Sequence, residues 1–482
     1  MTKTDTPALD LREHLERAPM SPYQWAIVAA AVLLNALDGF DVAAMSFVSA
    51  RVEKEFALSG AELGVVISAT LIGMAIGSLA LGRVADLIGR RITVLGSVAL
   101  ATAGMYLAAS AQDVVQLGIW RVLTGLGVGG ILTSITVITA EFSSRRWRGL
   151  ALGIYTAGYG VGATLGGIAA VGLQEGAGWR GVFLAGAITS TVLLAVLVFL
   201  LPESVHFLQL RGARSQATLA RIARRVGFDP VRIASSAARP EAAPAKSGLG
   251  ALFSRDAIGA TLLLWATFFT VMFAFYFVNS WTPRLMVEAG MTVDQGVVVG
   301  MALALGGAAG SVLYGALAAR ASRERLLLVF LLLSAAAIVT FVLSTAVLAL
   351  AFALGVVVGV LVNGCIAGLY TVAPARYGTE VRATGVGAAL GVGRAGAILA
   401  PIAAGVLLDA GWTNVALYSC TAGLLVLGAV AVLLLSRRPA LDDARAPDDR
   451  KGRDPRWIPA PSSAEEVRQA AARWCRTAQS SA

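Results

Sequence analysis

Twelve apolar runs, each long enough to cross a bilayer as a helix, follow one another along this chain, and no soluble fold has a use for them. A helix rises 1.5 Å per residue, so about 20 apolar residues span a hydrocarbon core of about 30 Å. Runs of that order lie at about 24–50, 62–82, 91–110, 114–139, 149–173 and 180–201, and again at 256–281, 295–318, 326–344, 347–371, 382–408 and 414–436. The expected class is therefore an all-α polytopic membrane protein with twelve transmembrane helices. One long polar insert, 202–255, separates two six-span bundles at 23–201 and 256–436. A polar segment, 1–22, precedes them and a polar tail, 437–482, comes after.

Composition agrees: 57% of the 482 residues are hydrophobic and 14% charged. The net charge of +10 does not point to nucleic acid, because the cations sit in alternate loops. Arg83, Arg90 and Arg91 follow span 2, Arg145, Arg146 and Arg148 follow span 4, and Arg320, Arg323 and Arg325 follow span 8. The insert is rich in Arg as well. Cytoplasmic loops collect Lys and Arg, so both termini and the insert are expected in the cytoplasm. Cys365 and Cys420 lie in apolar segments and Cys475 in the tail, a pattern that implies no disulfide framework. The first residues lack the basic-then-apolar pattern of a cleaved signal peptide. Residues 215–227 of the insert can form a basic amphipathic helix, either on the membrane surface or as a solvated linker; residues 463–475 of the tail look similar.

Three charged residues stand where a bilayer helix tolerates them least, and a fourth joins them from span 4. Asp38 and Asp41 sit in Asn35-Ala-Leu-Asp-Gly-Phe-Asp41, deep in span 1, and their i, i+3 spacing puts them on one helix face. Intramembrane acids usually mark an ion or substrate pathway and are paired with something basic. Arg121 of span 4 falls at roughly the depth of Asp38, about 10 Å from the outer edge. It can pair with an acid across a cavity or snorkel to the outer interface. Arg394 of span 11 lies about 18 Å from the cytoplasmic end of its helix. Its planar fork suits a carboxylate, either that of a substrate or that of another helix.

The loop after span 2, Gly82-Arg-Val-Ala-Asp86-Leu-Ile-Gly89-Arg90-Arg91, resembles the loop signature of the major facilitator superfamily. Its glycines permit a tight turn and close helix approach. Asp86 can meet charged partners across the cytoplasmic face or sit at a helix N-terminus. The corresponding loop after span 8 keeps Gly315 and the basic residues but has Ala319 where the acid would be, a weak repeat expected of two related halves. Span 5 has Ala163 where drug/proton antiporters of this superfamily typically carry proline. Pro202-Glu203-Ser204 after span 6 resembles the signature shared by sugar porters and organic-anion symporters; Pro202 ends the helix, and Glu203 or Ser204 can cap the next segment.

Together with Arg382-Ala-Thr-Gly-Val-Gly387 leading into Gly391-Val-Gly393-Arg394, these motifs resemble the aromatic acid:proton symporter family from about residue 20 to 436. A departure is Gly378, where relatives commonly have proline. The resemblance implies the major facilitator fold and import of benzoate-like acids across the bacterial inner membrane by alternating access. Asp38, Asp41 and Arg121 are then the proton-coupling group. Arg394, Tyr276, Asn279, Asn363, Tyr155 and Tyr159 are the substrate candidates, with Tyr370 a lesser one. The conformational gate is assigned to Gly82, Asp86, Gly89, Arg90, Arg91, Glu141 and Arg382. Seven aromatics of span 7 offer stacking faces, most of which must meet lipid or neighbouring helices. The expected partners are a small aromatic carboxylate, protons and the lipid bilayer, with no nucleic acid; no cofactor is expected beyond the coupling proton, and the chain is expected to be a monomer. Other readings are a symporter for another organic anion or a sugar, a drug/proton antiporter, and a non-transporting membrane sensor. An enzyme is disfavoured, since neither His14 nor His206 is mid-span and no nucleophile or metal cluster appears.

Overall fold

The computed structural model describes residues 11–211, 215–228, 249–254, 257–345, 347–377 and 381–438. A short helix α1 (Leu11–Arg17) precedes six long ones: α2 (Pro22–Phe56), α3 (Gly60–Ile88), α4 (Arg90–Ala109), α5 (Val114–Glu141), α6 (Arg148–Gln174) and α7 (Gly178–Leu200). Two short helices, α8 (Val205–Leu210) and α9 (Gln216–Arg225), lead toward the second six. These are α10 (Ile258–Glu288), α11 (Val293–Ala318), α12 (Arg323–Leu343), α13 (Leu348–Arg376), α14 (Arg382–Asp409) and α15 (Asn414–Ser436). The twelve long helices are those the apolar runs mark, and all are long and apolar enough to cross a membrane. Several overrun the apolar limits, as α2 does to Phe56 and α10 to Glu288. Hydropathy ends with the hydrocarbon, whereas i→i−4 bonding continues into the headgroup layer, where Glu53, Arg284 and Glu288 can be solvated.

The two halves repeat one another in detail. α3 and α11, second in each bundle, open with capping boxes, Ser59 with Glu62 and Thr292 with Gln295. Each packs tightly on the fourth helix of its bundle: a Cβ on Gly125 would overlap the Thr70 carbonyl, and one on Gly359 the Leu303 carbonyl. At the end that carries the termini, Arg90 reaches Glu141 at 3.7 Å in the first bundle. In the second, Glu324 reaches Arg376 at 3.2 Å, the same bridge with its charges exchanged.

An even number of spans returns the chain to the face from which α2 starts. The contacts tying the bundles together lie toward the other face. Asp409, at the end of α14, accepts from the Gly60 and Ala61 amides of α3 at 2.7 and 2.8 Å. Ser68 donates to the Ile398 carbonyl at 2.8 Å, and Arg284 of α10 forks onto Glu53 of α2. No hydrogen bond or ion pair of this kind between the bundles is found toward the terminus face among the described residues. The cleft between the bundles is therefore closed at one end and untied at the other.

Beneath the first bundle, α1, α8 and α9 form a small apolar cap. Leu219, Ile222 and Ala223 of α9 pack with Leu11, Leu15, Val205, Leu208 and Phe228. The apolar face of α9 thus meets protein, the packing that the linker reading of residues 215–227 expects. Helix α1 within the polar N-terminal segment was not anticipated; Glu16 anchors it by pairing with Arg145 at 2.9 Å. The similar stretch 463–475 lies outside the described residues.

Candidate functional site

The site starts from the close packing of α2 on α6. Gly39 has no side chain because a Cβ there would overlap the Tyr159 carbonyl, and the Asn35 amide donates to the Tyr155 carbonyl at 2.8 Å. This contact brings Tyr155 and Tyr159 up to the acids of α2. Residues three apart on a helix differ by about 60° in direction, and here that difference sends Asp38 and Asp41 to different neighbours.

Asp41 belongs to the first bundle alone. Its Oδ1 accepts from Arg121 Nη1 at 2.5 Å and its backbone carbonyl from Arg121 Nη2 at 3.0 Å. The two side chains are 0% and 1% exposed, and the Phe183 ring lies 5.2 Å from the guanidinium carbon. Arg121 does not snorkel. Its partner is Asp41 rather than Asp38, the acid that axial depth had placed level with it. Depth along an axis resolves position only to about a turn, and helix rotation makes the choice.

Asp38 is buried, and its Oδ1 has no hydrogen-bond partner among the described residues. The charges that act on it are Asp41 and, from the other bundle, Arg394. Arg394 lies within hydrogen-bonding reach of Tyr276 and close to Tyr370, Tyr159 and Asp38. No carboxylate stands within ion-pair distance of it among the described residues, in contrast to Arg121. Tyr155, buried, accepts from Thr136 at 3.3 Å and faces Asp38 and Tyr370. Tyr370 is 49% exposed although it lies beside this cluster.

A cavity adjoins the cluster, with Tyr159, Asn279, Asn363, Thr156, Phe275 and Ser311 in its wall. Asn279 and Asn363 donate to carbonyls one turn back in their own helices, at 2.8 and 3.1 Å, and each retains an acceptor oxygen. The wall pairs an aromatic face with hydroxyls and amides. Of the span 7 aromatics, Phe268, Phe277 and Trp281 are buried among neighbouring helices; Phe275 and Tyr276 turn toward the cleft.

The residues expected to form a gate gather on the terminus face. Gly89 turns the chain with φ at 110°, and Glu203 then caps α4: its Oε1 accepts from the Arg90 and Arg91 amides at 2.7 and 3.1 Å. Ser204 caps α8 at 3.2 Å, so the two polar residues after Pro202 serve different helices. Glu141 accepts from the Ser204 hydroxyl at 2.9 Å and the Val205 amide at 3.1 Å. Asp86 is 74% exposed and meets Arg90 at 3.8 Å, a weak pair within one turn. At Gly82 the expected close approach is absent in this conformation, since nothing lies within 4 Å of where a Cβ would be. Arg382 donates to the Tyr377 carbonyl at 3.3 Å. Gly378, the departure from the family pattern, lies outside the described residues. Among those described, no His, Cys, Asp and Glu cluster could hold a metal.

Sequence reading missed the Phe183 lid on Arg121 and the capping of α4 by Glu203, both contacts between segments far apart in the chain. It undervalued Tyr370, whose neighbour Arg394 sits on another helix.

Comparison with known proteins bears on this arrangement. The Major Facilitator Superfamily profile matches residues 31–389 and, overlapping, 292–474. The chain is 33% identical over 411 residues to a gallate transporter of Pseudomonas putida, covering 84% of this chain and 90% of that one. It is 33% identical over 408 residues to a 4-hydroxybenzoate transporter of Pseudomonas aeruginosa, covering 84% and 90%. In fold it resembles a bacterial homologue of the lysosomal transporter Spinster in an inward-facing and occupied conformation, with a TM-score of 0.68 and 20% identity over 92% of this chain and 100% of that one. It also resembles a D-xylose–proton symporter, with a TM-score of 0.65 and 17% identity over 87% and 98%.

Proposed function

Because the chain belongs to the major facilitator superfamily and, within it, to the aromatic acid:proton symporter family, we propose that it imports a small aromatic carboxylate together with protons. It is a multi-pass membrane transporter and not an enzyme. In our reading it lies in the bacterial inner membrane with both termini cytoplasmic, so the conformation described is open inward. Support for that orientation comes from the Arg-rich loops on the terminus face.

The observation that carries the reading is Arg394. A guanidinium near the bilayer midplane is costly unless it meets an anion, and this one has tyrosine hydroxyls around it but no carboxylate in ion-pair contact among the described residues. A substrate carboxylate completes it, with the aryl ring against Tyr159 and Phe275 and ring hydroxyls on Asn279 or Asn363. Asp38 is the proton carrier in this scheme. Protonated, it leaves the positive field of Arg394 to the substrate; ionised after release inward, it takes that field back. Two anions thus compete for one cation, which couples the movements. Asp41 with Arg121 holds α2 against α5 and supplies the negative charge beside Asp38. Alternating access results if the bundles rock, breaking Asp409 from α3 and Glu53 from Arg284 while the gate loop of Asp86 closes the other end.

Uptake into energised vesicles tests the proposal. Benzoate, 4-hydroxybenzoate, gallate and gentisate are supplied with and without an uncoupler. At least one should accumulate above its external concentration, and the uncoupler should abolish the accumulation. Flux of a substrate to equilibrium only, unaffected by the uncoupler, would remove proton coupling; no flux of any acid would remove the substrate class.

A further inference from the structure

On the terminus face, a groove runs between the first turn of α4, the end of α7, and the short helices α8 and α9. Four arginines line it: Arg91, Arg211, Arg221 and Arg225. None has a carboxylate within ion-pair distance among the described residues. The one acid in the wall, Glu203, already spends one oxygen on three backbone amides. The wall therefore carries an excess of three positive charges.

The arginines are positioned by neutral partners. Arg211 stacks over Phe207 at 4.6 Å and donates to the Leu87 carbonyl; Arg225 lies over Tyr23 at 5.1 Å and donates to its hydroxyl at 3.3 Å. Arg91 donates to the Leu201 and Val198 carbonyls, and Arg221 has no protein partner among the described residues. Cation–π stacking and carbonyl contacts orient a guanidinium without cancelling its charge.

The height of the groove matters as much as its charge. It lies where apolar α3 and α7 give way to polar sequence, and its rim exposes Ile88, Ile92 and Phe199, the last at 81%. Its occupant must be anionic where the arginines are and apolar where Phe199 faces outward. We propose that the groove binds the phosphate headgroup of an anionic phospholipid, whose acyl chains run down the rim beside Phe199. α9 is then a protein-docked helix that turns its basic face to that headgroup. A site of this kind would clamp the linker to the first bundle while the second bundle moves.

Native mass spectrometry of the purified full-length chain decides the matter, with phosphatidylglycerol or phosphatidylcholine added in detergent. The wild-type chain should retain phosphatidylglycerol in preference to phosphatidylcholine. The variant R211Q/R221Q/R225Q should weaken phosphatidylglycerol binding on the order of a hundredfold, given the contribution of each basic residue near an anionic lipid. R221E alone alters an exposed side chain without a protein partner, so it leaves the fold intact and should still cost about fivefold or more. Equal retention of the two lipids by the wild type, or a preference unchanged in R221E, would overturn the proposal. Displacement of phosphatidylglycerol by millimolar inorganic phosphate or benzoate would also overturn it, because the site would then read a free anion and not a lipid.

Discussion

Asp38 and Asp41 stand three residues apart on α2, both buried, yet only one of them has a cation in contact. That difference predicts two distinct mutant phenotypes. Asp41→Asn strands the fully buried Arg121, and breaking such a pair costs about 3–5 kcal/mol. The variant should unfold at a clearly lower temperature in detergent, and Asp41→Asn/Arg121→Met should recover much of the loss without recovering uptake. Asp38→Asn strands nothing and should keep near-wild-type stability while losing uphill accumulation. Thermal unfolding beside vesicle uptake reads both; a stable Asp41→Asn or a concentrating Asp38→Asn would contradict the assignment concerned. Arg394 gives the third residue-scale expectation. Arg394→Lys keeps the charge but loses the bidentate fork and should bind benzoate-like acids more weakly; Arg394→Ala should lose about 2–5 kcal/mol of binding. The neutral amide analogue should bind poorly to the wild type and be discriminated against far less by Arg394→Ala. Equal benzoate affinity in wild type and Arg394→Ala would move the carboxylate site elsewhere.

Between elements, carboxylates do much of the joining by capping helices that are not their own. Glu203 closes the start of α4 from beyond the end of α7, and Asp409 closes the start of α3 from the opposite bundle. The first lies within one bundle and survives any movement between the two; the second must break whenever that end opens. Asp409→Ala should therefore shift the population toward the state open on the face opposite the termini. Spin labels at the outer ends of α3 and α14 should show a longer-distance population that the wild type lacks. An unchanged distance distribution would mean the cap does not hold the closure. By contrast, Glu203→Gln should leave that distribution alone and cost about 1 kcal/mol of stability, seen as faster hydrogen exchange at the Arg90 and Arg91 amides.

Across the whole molecule, the polar ties between bundles sit at one end, and the loop proposed as a gate at the other end has an exposed Asp86 paired with Arg90. If this is one half of a rocking cycle, fixing the tied end should stop the cycle without blocking the site. In a chain with Cys365, Cys420 and Cys475 replaced by Ser, a flexible bifunctional maleimide across Ala61→Cys and Ala410→Cys, beside the Asp409 cap, should abolish flux. Binding of substrate from the terminus face should persist. Continued flux in the fully cross-linked protein would rule out opening at that end.

Much of this was legible in the residues. Length and continuity of apolar runs determine twelve helices, because a bilayer leaves the backbone no other way to satisfy its own amides. The cost of burying charge singles out Asp38, Asp41, Arg121 and Arg394 as site candidates, before any partner is known. Which acid takes Arg121 was not legible, since helices crossing at similar depth offer Asp38 and Asp41 almost equally until rotation and packing choose. The same holds for Tyr370 beside Arg394, for Glu203 on the first turn of α4, and for the four arginines that meet in one groove from three separate segments. Each of those contacts depends on how helices distant in sequence are placed against one another, and local sequence carries propensity, burial cost and capping but not that placement.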